Sequence, residues 1–311
     1  AVPKLFHAGR SLIGCCGTVA HYQVAQAWLQ RRTLTAAFIN RHQAADALDA
    51  KTPKFVEAVP AETGATGLWA GFNVHLAAGM ILDASRALFA RREKAQTEGL
   101  VQRLTELLGD SAGLNSMKGI WRLPTGCLLE LAGLDNPGDE RRWQGRPHDL
   151  KVFDEVTEKR EHQVRFIMGW RRTSSTNVKS KVLMTFNPPT TSEGRWVIAF
   201  FAPWLDKKYP GKRAAPGELR WFTTIAGKDL EVPDGRPFVL VDGKPCYEFD
   251  PNEYVPEDII QPLSRTFIPA RLTDNPYYMA SGYMSTLQAL PEPLRSQMLY
   301  GDFDAGVEDD I

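Results

Sequence analysis

The chain has 311 residues, with 37 basic against 37 acidic side chains, so its formal charge is zero. That balance excludes a histone-like or polycationic binder, and 43% hydrophobic with 24% charged residues excludes wholesale disorder. The length suits one large domain or two small ones, and every apolar stretch is interrupted well short of the roughly 20 residues of a bilayer span. Ala1 opens no basic-then-apolar signal segment, so the reading is a soluble, intracellular protein with no membrane partner. Cys15, Cys16, Cys127 and Cys246 make no zinc spacing and read as reduced thiols.

The predicted elements follow in chain order. Ala87 to Ala90 is a strand-length apolar run. Leu100, Val101, Leu104, Leu107 and Leu108 then recur with helical spacing before Gly109-Asp110 stops the pattern. Gly119 to Leu123 and Cys127 to Leu131 flank Pro124-Thr125-Gly126 and read as a β-hairpin. Further strand-length runs stand at Leu150 to Phe153, Val182 to Phe186, Trp196 to Phe201 and Trp221 to Ile225. The alternation of such runs with helical patterns indicates βαβ units in an α/β, mainly parallel sheet flanked by helices. Residues 203–218 and 227–264 are rich in Pro, Gly, Asp and Lys and are expected to be a loop-rich insertion, with short extended pieces at Phe238 to Val241 and Cys246 to Phe249. Tyr283, Met284, Leu287 and Leu290, then Leu294 and Met298-Leu299 beyond Pro291, predict two short helices.

The chemistry concentrates at strand ends. The strand from Leu150 ends in Asp154-Glu155, and a buried parallel strand delivers its C-terminal residues to the crevice where ligands sit. In a nucleoside-triphosphatase the first acid holds Mg²⁺ through its water shell and the second polarises the attacking water, although the same string also ends strands that catalyse nothing. About thirty residues on, Asn187 follows a second apolar run, where an amide can bond a phosphate or water, or simply cap a turn. No Gly-x4-Gly-Lys-Ser/Thr string occurs. Thr66 to Asn73, with Gly67 and Gly71, has the right context before a helix-like stretch, but Phe72 supplies no cation, and by its residues alone it reads as a Gly-containing turn. His7, His21, His42, His75, His148 and His162 make no metal spacing, and the basic stretch from Arg141 to Arg172 reads as a DNA or phosphate patch or, at least equally, as a solvated surface.

The segment from about Arg86 to Gly306 resembles the ATPase domain of tailed-bacteriophage or prophage terminase large subunits, the DNA-packaging motors. The carriers are Ala87 to Glu93, Gly119 to Gly126, Arg142 to Leu150 leading into Asp154-Glu155, Thr185 to Pro188, Phe267 to Tyr277 and Leu290 to Phe303. The resemblance implies a P-loop NTPase (RecA/ASCE-like) fold, with ATP and Mg²⁺ as cofactors. It makes Asp154 the metal-associated Walker B acid, Glu155 the catalytic carboxylate and Asn187 part of the motif that couples hydrolysis to DNA movement. Its Walker A turn falls where Gly67, Gly71 and Asn73 stand, although the expected lysine is replaced by Phe72. The implied partners are double-stranded DNA, a portal protein, the terminase small subunit and further copies in a homo-oligomeric ring, in the host cytoplasm. Arg91, Arg92, Arg142 and Arg146 are candidate arginine fingers, and Lys51, Lys54 and Lys94 are the lysines available to replace the missing one. The expected division is an unmatched region 1–65, a terminase-like ATPase domain 66–306 and an acidic tail 307–311. Nuclease chemistry is not expected of Asp302, Asp304, Glu308, Asp309 and Asp310. The competing reading is a degenerate, non-hydrolysing remnant that keeps the fold and its DNA or partner contacts, through a frameshifted or decayed N-terminal region.

Overall fold

The computed structural model describes residues 11–16, 77, 80–81, 84–170, 180–269 and 282–306. Its centre is a 10-stranded sheet. In chain order the strands are β1 (Ser11–Cys16), β2 (Arg86–Arg91), β3 (Leu114–Asn115), β4 (Ile120–Arg122), β5 (Leu128–Gly133), β6 (Leu150–Asp154), β7 (Lys181–Phe186), β8 (Arg220–Ile225), β9 (Lys228–Val232) and β12 (Leu263–Ile268); β10 (Val239–Val241) and β11 (Lys244–Cys246) form a separate hairpin. The spatial order is β3-β4-β5-β2-β6-β7-β1-β12-β8-β9. All pairings from β5 through β12 are parallel, while β3, β4, β8 and β9 extend the two edges antiparallel. The helices are α1 (Glu98–Leu108), α2 (Glu161–Gly169), α3 (Trp196–Phe200), α4 (Ala202–Leu205), α5 (Tyr283–Gln288) and α6 (Leu294–Tyr300).

The central strands form because their runs are apolar on both faces. In β2, Leu88 and Ala90 join one buried cluster, while Ala87 and Phe89 between them are equally buried on the opposite face. The cluster continues through Phe153, Met184 and Phe186 to Val164 and Ile167 of α2 and Val197 and Phe200 of α3. Phe186, Phe201, Phe267 and Phe303 close it as an aromatic group with ring centroids 5.7–6.1 Å apart. The helix α1 ends at Gly109, whose φ of 84° places it in the left-handed region that terminates helices.

The strands expected at Ala87, Leu150, Val182 and Trp221, the hairpin around Pro124-Thr125-Gly126 and both C-terminal helices are present. Two expectations are corrected. Trp196 to Phe201 is not a strand: Trp196–Phe200 is the helix α3, whose Val197 and Phe200 are buried and whose continuation buries Phe201, while the apolar Trp196, Ile198 and Ala199 are partly buried or exposed and carry no polar face that would have marked a helix. Residues 227–264 are not simply irregular. They contain β9, which alternates exposed and partly buried residues as the outermost strand, and the start of β12, while the extended piece expected at Phe238 to Val241 is present as β10, paired with β11. The strand β12 escaped notice because Ser264, Arg265 and Thr266, all buried, replace the usual apolar run. The N-terminal region left unmatched in the sequence contributes β1, which lies between β7 and β12. No helix among the described residues is long and apolar enough to cross a membrane.

Candidate functional site

Parallel strands bring their carboxyl ends to one edge, so Arg91 of β2, Asp154 of β6 and the exit from β7 emerge side by side. Asp154 and Thr185 are direct partners in the register of β6 and β7. The Thr185 hydroxyl donates to Asp154 Oδ1, and Arg91 Nη1 donates to Asp154 Oδ2 at 2.8 Å. The next residue, Glu155, leaves the strand with φ 49° and ψ 59°, a left-handed conformation unusual for any residue but glycine. Its amide donates to Thr185 Oγ1 at 3.4 Å, and Asn187 Nδ2 reaches Glu155 Oε2 at 3.5 Å. Asp154, Glu155 and Asn187, read independently from the sequence, thus stand within one hydrogen-bonded group. Gly67, Gly71 and Asn73, with Phe72, lie outside the described residues, as do Lys51, Lys54, Glu308, Asp309 and Asp310.

A second layer ties the three loops together. Arg92 Nη1 donates to the Glu158 carbonyl and to Glu193 Oε2, both at 2.7 Å, while Arg160 Nε reaches Glu193 Oε1 at 2.9 Å. Glu193 therefore joins the segments after β2, β6 and β7. At Gly194 the chain passes so close to the turn after Glu155 that a Cβ would stand 2.1 Å from the Thr157 carbonyl oxygen. Below the turn, Lys159 is fully buried and its Nζ donates to the carbonyls of Asp154 and, at 3.1 Å, Glu155. Its own carbonyl accepts from Trp196 Nε1 at 2.9 Å.

Burial raises the Glu155 carboxyl from 4.5 to about 7, reinforced by the neighbouring charge of Asp154 and opposed by Arg91. Burial likewise depresses the Lys159 ammonium. A carboxylate poised near neutrality at a strand tip is suited to exchanging a proton with water. The candidate cations sort by geometry. Lys94 is engaged by the Ser116 and Met117 carbonyls at 3.4 and 3.0 Å. Arg146 pairs with Glu130 at 2.8 Å, whereas Arg142 is exposed and 3.9 Å from Asp139. Asp302 and Asp304 sit 3.9 and 2.5 Å from Lys207, an ion-pair arrangement.

Asp154 retains acceptor capacity for the water shell of a cation. A carboxylate offers about four acceptor sites, and two of those on Asp154 are used by Thr185 and Arg91, leaving room for water held by a cation. Arg91 Nε is buried with no hydrogen-bond partner among the described residues, a donor suited to an anionic oxygen. Arg91, Thr185 and Lys159 were not assigned these roles from the sequence. Arg91 could have been found by the strand-end rule that found Asp154, because it closes β2 as Asp154 closes β6. Lys159 carried no local signal.

No known protein-family profile matches the chain. A stretch of 41 residues, 13% of the chain, is 51% identical to limonin dehydrogenase of Pseudomonas putida and to salicylaldehyde dehydrogenases of Pseudomonas putida and another Pseudomonas strain. The match spans 13% of the length of the first and 8% of the other two. The structure is similar to the ATPase domain of the Thermus phage P74-26 large terminase, at 12% identity and TM-score 0.41, covering 97% of this chain and 92% of that one. It is also similar to the HK97 bacteriophage large terminase, at 12% identity and TM-score 0.29 over 42% of this chain and 30% of that chain.

Proposed function

We propose that this chain is the motor part of a terminase large subunit, which binds ATP with Mg²⁺ and couples hydrolysis to movement of double-stranded DNA into a procapsid. The observation that carries the reading is the joint placement of Asp154, Glu155 and Asn187 at the carboxyl edge of adjacent parallel strands, with Asn187 3.5 Å from Glu155. The ordered series of sequence motifs supplies the substrate and the task. In this reading residues 66–306 are the motor domain and 307–311 a tail. A portal protein, the small subunit and further copies in a ring would be partners in the host cytoplasm.

Asp154 would hold the cation through water, and when bound the cation would neutralise charge on the triphosphate. Arg91 and Thr185 fix the Asp154 carboxylate, so little reorganisation is needed as charge develops. Glu155, with its raised pKa, would hold the attacking water and take its proton. Asn187 would sense that carboxylate and pass the change through Pro189, whose carbonyl accepts from Gln297 Nε2 of α6 at 3.0 Å. Gly67, Gly71 and Asn73 would contribute backbone contacts to the phosphates.

The non-hydrolysing remnant is the second reading. It is favoured by Phe72 in place of the expected lysine. Titration calorimetry with Mg-ATP, followed by phosphate release with and without DNA, separates them. Micromolar binding and turnover abolished by Glu155→Gln support the motor; no detectable heat and no turnover support the remnant, which keeps only the fold and its DNA or partner contacts.

A further inference from the structure

Glu155 is one of three non-glycine residues with positive φ among the described residues, at 49°. The other two, Ala226 and Asp242, precede glycines in the tight turns of the β8–β9 and β10–β11 hairpins, where that geometry is required. Glu155 lies in no hairpin and needs another cause. Lys159 is the group placed to provide it. Its ammonium is 0% exposed, and a charge so deeply buried is retained only where its donors have partners. Those partners are the carbonyls of Asp154 and Glu155, the two peptide oxygens on either side of the Glu155 φ and ψ bonds.

Had the strand continued past Asp154, successive carbonyls would point in opposite directions and one nitrogen could not serve both. Binding both carbonyls therefore selects a folded backbone at residue 155. The Thr185 hydroxyl, 3.4 Å from the Glu155 amide, supports the same turn from the neighbouring strand. With its backbone so set, Glu155 presents Oε2 to Asn187.

We infer that Lys159 is a positioning residue, which holds the left-handed backbone of Glu155 from beneath and thereby aims its carboxylate along the strand tips toward Asn187. The functional half of this inference rests on the nucleotide-hydrolysis reading; the structural half does not. Lys159 is not a surrogate for the missing phosphate-binding lysine, because its ammonium faces backbone oxygens beneath the turn and has no exposed surface.

The test is a stability cycle with Lys159→Met, which keeps the shape and removes the donors, and Glu155→Gly, which makes the left-handed backbone free of side-chain strain. The expected result is that Lys159→Met lowers the midpoint of thermal unfolding at least twice as far in the parent as in the Glu155→Gly background. Equal drops in both backgrounds would mean that Lys159 only fills space, and would overturn the inference. If Lys159→Met fails to fold in the parent, recovery of folding in the Glu155→Gly background supports the inference, and failure in both defeats it. In the parent background, Lys159→Met should also lower kcat tenfold or more with KM for Mg-ATP changed less than twofold; a matched rise in KM with kcat unchanged would refute the aiming role. A parent that binds no Mg-ATP by calorimetry removes the nucleotide reading, while the stability cycle still decides the role of Lys159.

Discussion

Asp229 offers the sharpest test of how the edge hairpin is held to the sheet. Its Oδ2 accepts from Arg265 Nη1 at 2.8 Å, Arg165 grips both oxygens at 3.1 Å, and the Thr224 hydroxyl donates to Oδ1 at 2.8 Å. Arg265 is 4% exposed and lies between the rings of Phe200 and Phe222, 3.8 and 4.4 Å from their centroids. Burial works against the Asp229 charge, but the Arg165 hydrogen bond and the two guanidinium charges prevail and lower its carboxyl from 3.8 to about 2. At about 1.4 kcal/mol per tenfold step, that preference is worth about 2.5 kcal/mol, and solvent at the Arg165 side screens it to about 1.5. Asp229→Asn keeps the shape and one acceptor but leaves Arg265 without its counter-charge. Breaking a buried pair completely costs about 3–5 kcal/mol, so the amide should cost about 2–3 kcal/mol. For a chain of this size that is a fall in midpoint of about 3–5 °C, measured by circular dichroism on heating. Adding Arg265→Met to Asp229→Asn replaces the stranded cation with a thioether between two rings and should recover most of the loss. A fall of under about 2 °C, or a double variant as unstable as the single, would refute the buried-charge account.

Four further outcomes follow from the same geometry. Gly194→Ala has no room beside the Thr157 carbonyl, so the segments after β6 and β7 must part, with a cost of about 1–3 kcal/mol and loss of the Asn187 contact to Glu155, visible as faster amide exchange in both loops. If Glu155 is the proton acceptor, phosphate release rises with pH through about 7 as the carboxyl ionises; Arg91→Gln, which removes the charge that favours the carboxylate, should move that rise to higher pH in a rate profile. A profile flat across neutrality would remove Glu155 from the role. Glu130 is shifted in the opposite sense, and its effect is read in stability. Burial disfavours its charge, but the His148 hydrogen bond and the charges of His148, Arg86 and Arg146 outweigh it, lowering the carboxyl from 4.5 to about 2. Its contribution is therefore complete above pH 4.5 and lost as pH falls through 2, and Glu130→Gln should flatten that part of a urea-midpoint curve against pH.

What could be read in advance depended on whether one residue's environment was set by its immediate neighbours in sequence. The strands β2, β6 and β7 are buried on both faces, so they appear as unbroken apolar runs, and the rule that such strands deliver their ends to a crevice located Asp154, Glu155 and Asn187. The helix α3 broke the same rule, because all five of its residues are apolar and four of them, Trp196, Val197, Ile198 and Phe200, pack against the core, so a short helix looks like a strand. The strand β12 failed in the reverse direction: Arg265 is buried inside it only because Asp229 of β9 and Phe200 of α3 arrive from more than thirty residues away to accept its charge. Lys159 belongs to the same class. Among neighbouring charged residues it looks like one more solvated cation, although it is fully buried with the carbonyls five and four residues upstream for partners. The acids that face the crevice, and Arg91 that closes β2 beside them, are thus legible from the strands that carry them, whereas the burial of Lys159 and Arg265 is not. A sequence scan for strand-terminal charged residues accordingly finds where chemistry can occur, and a fully buried cation such as Lys159 must be sought in the packing.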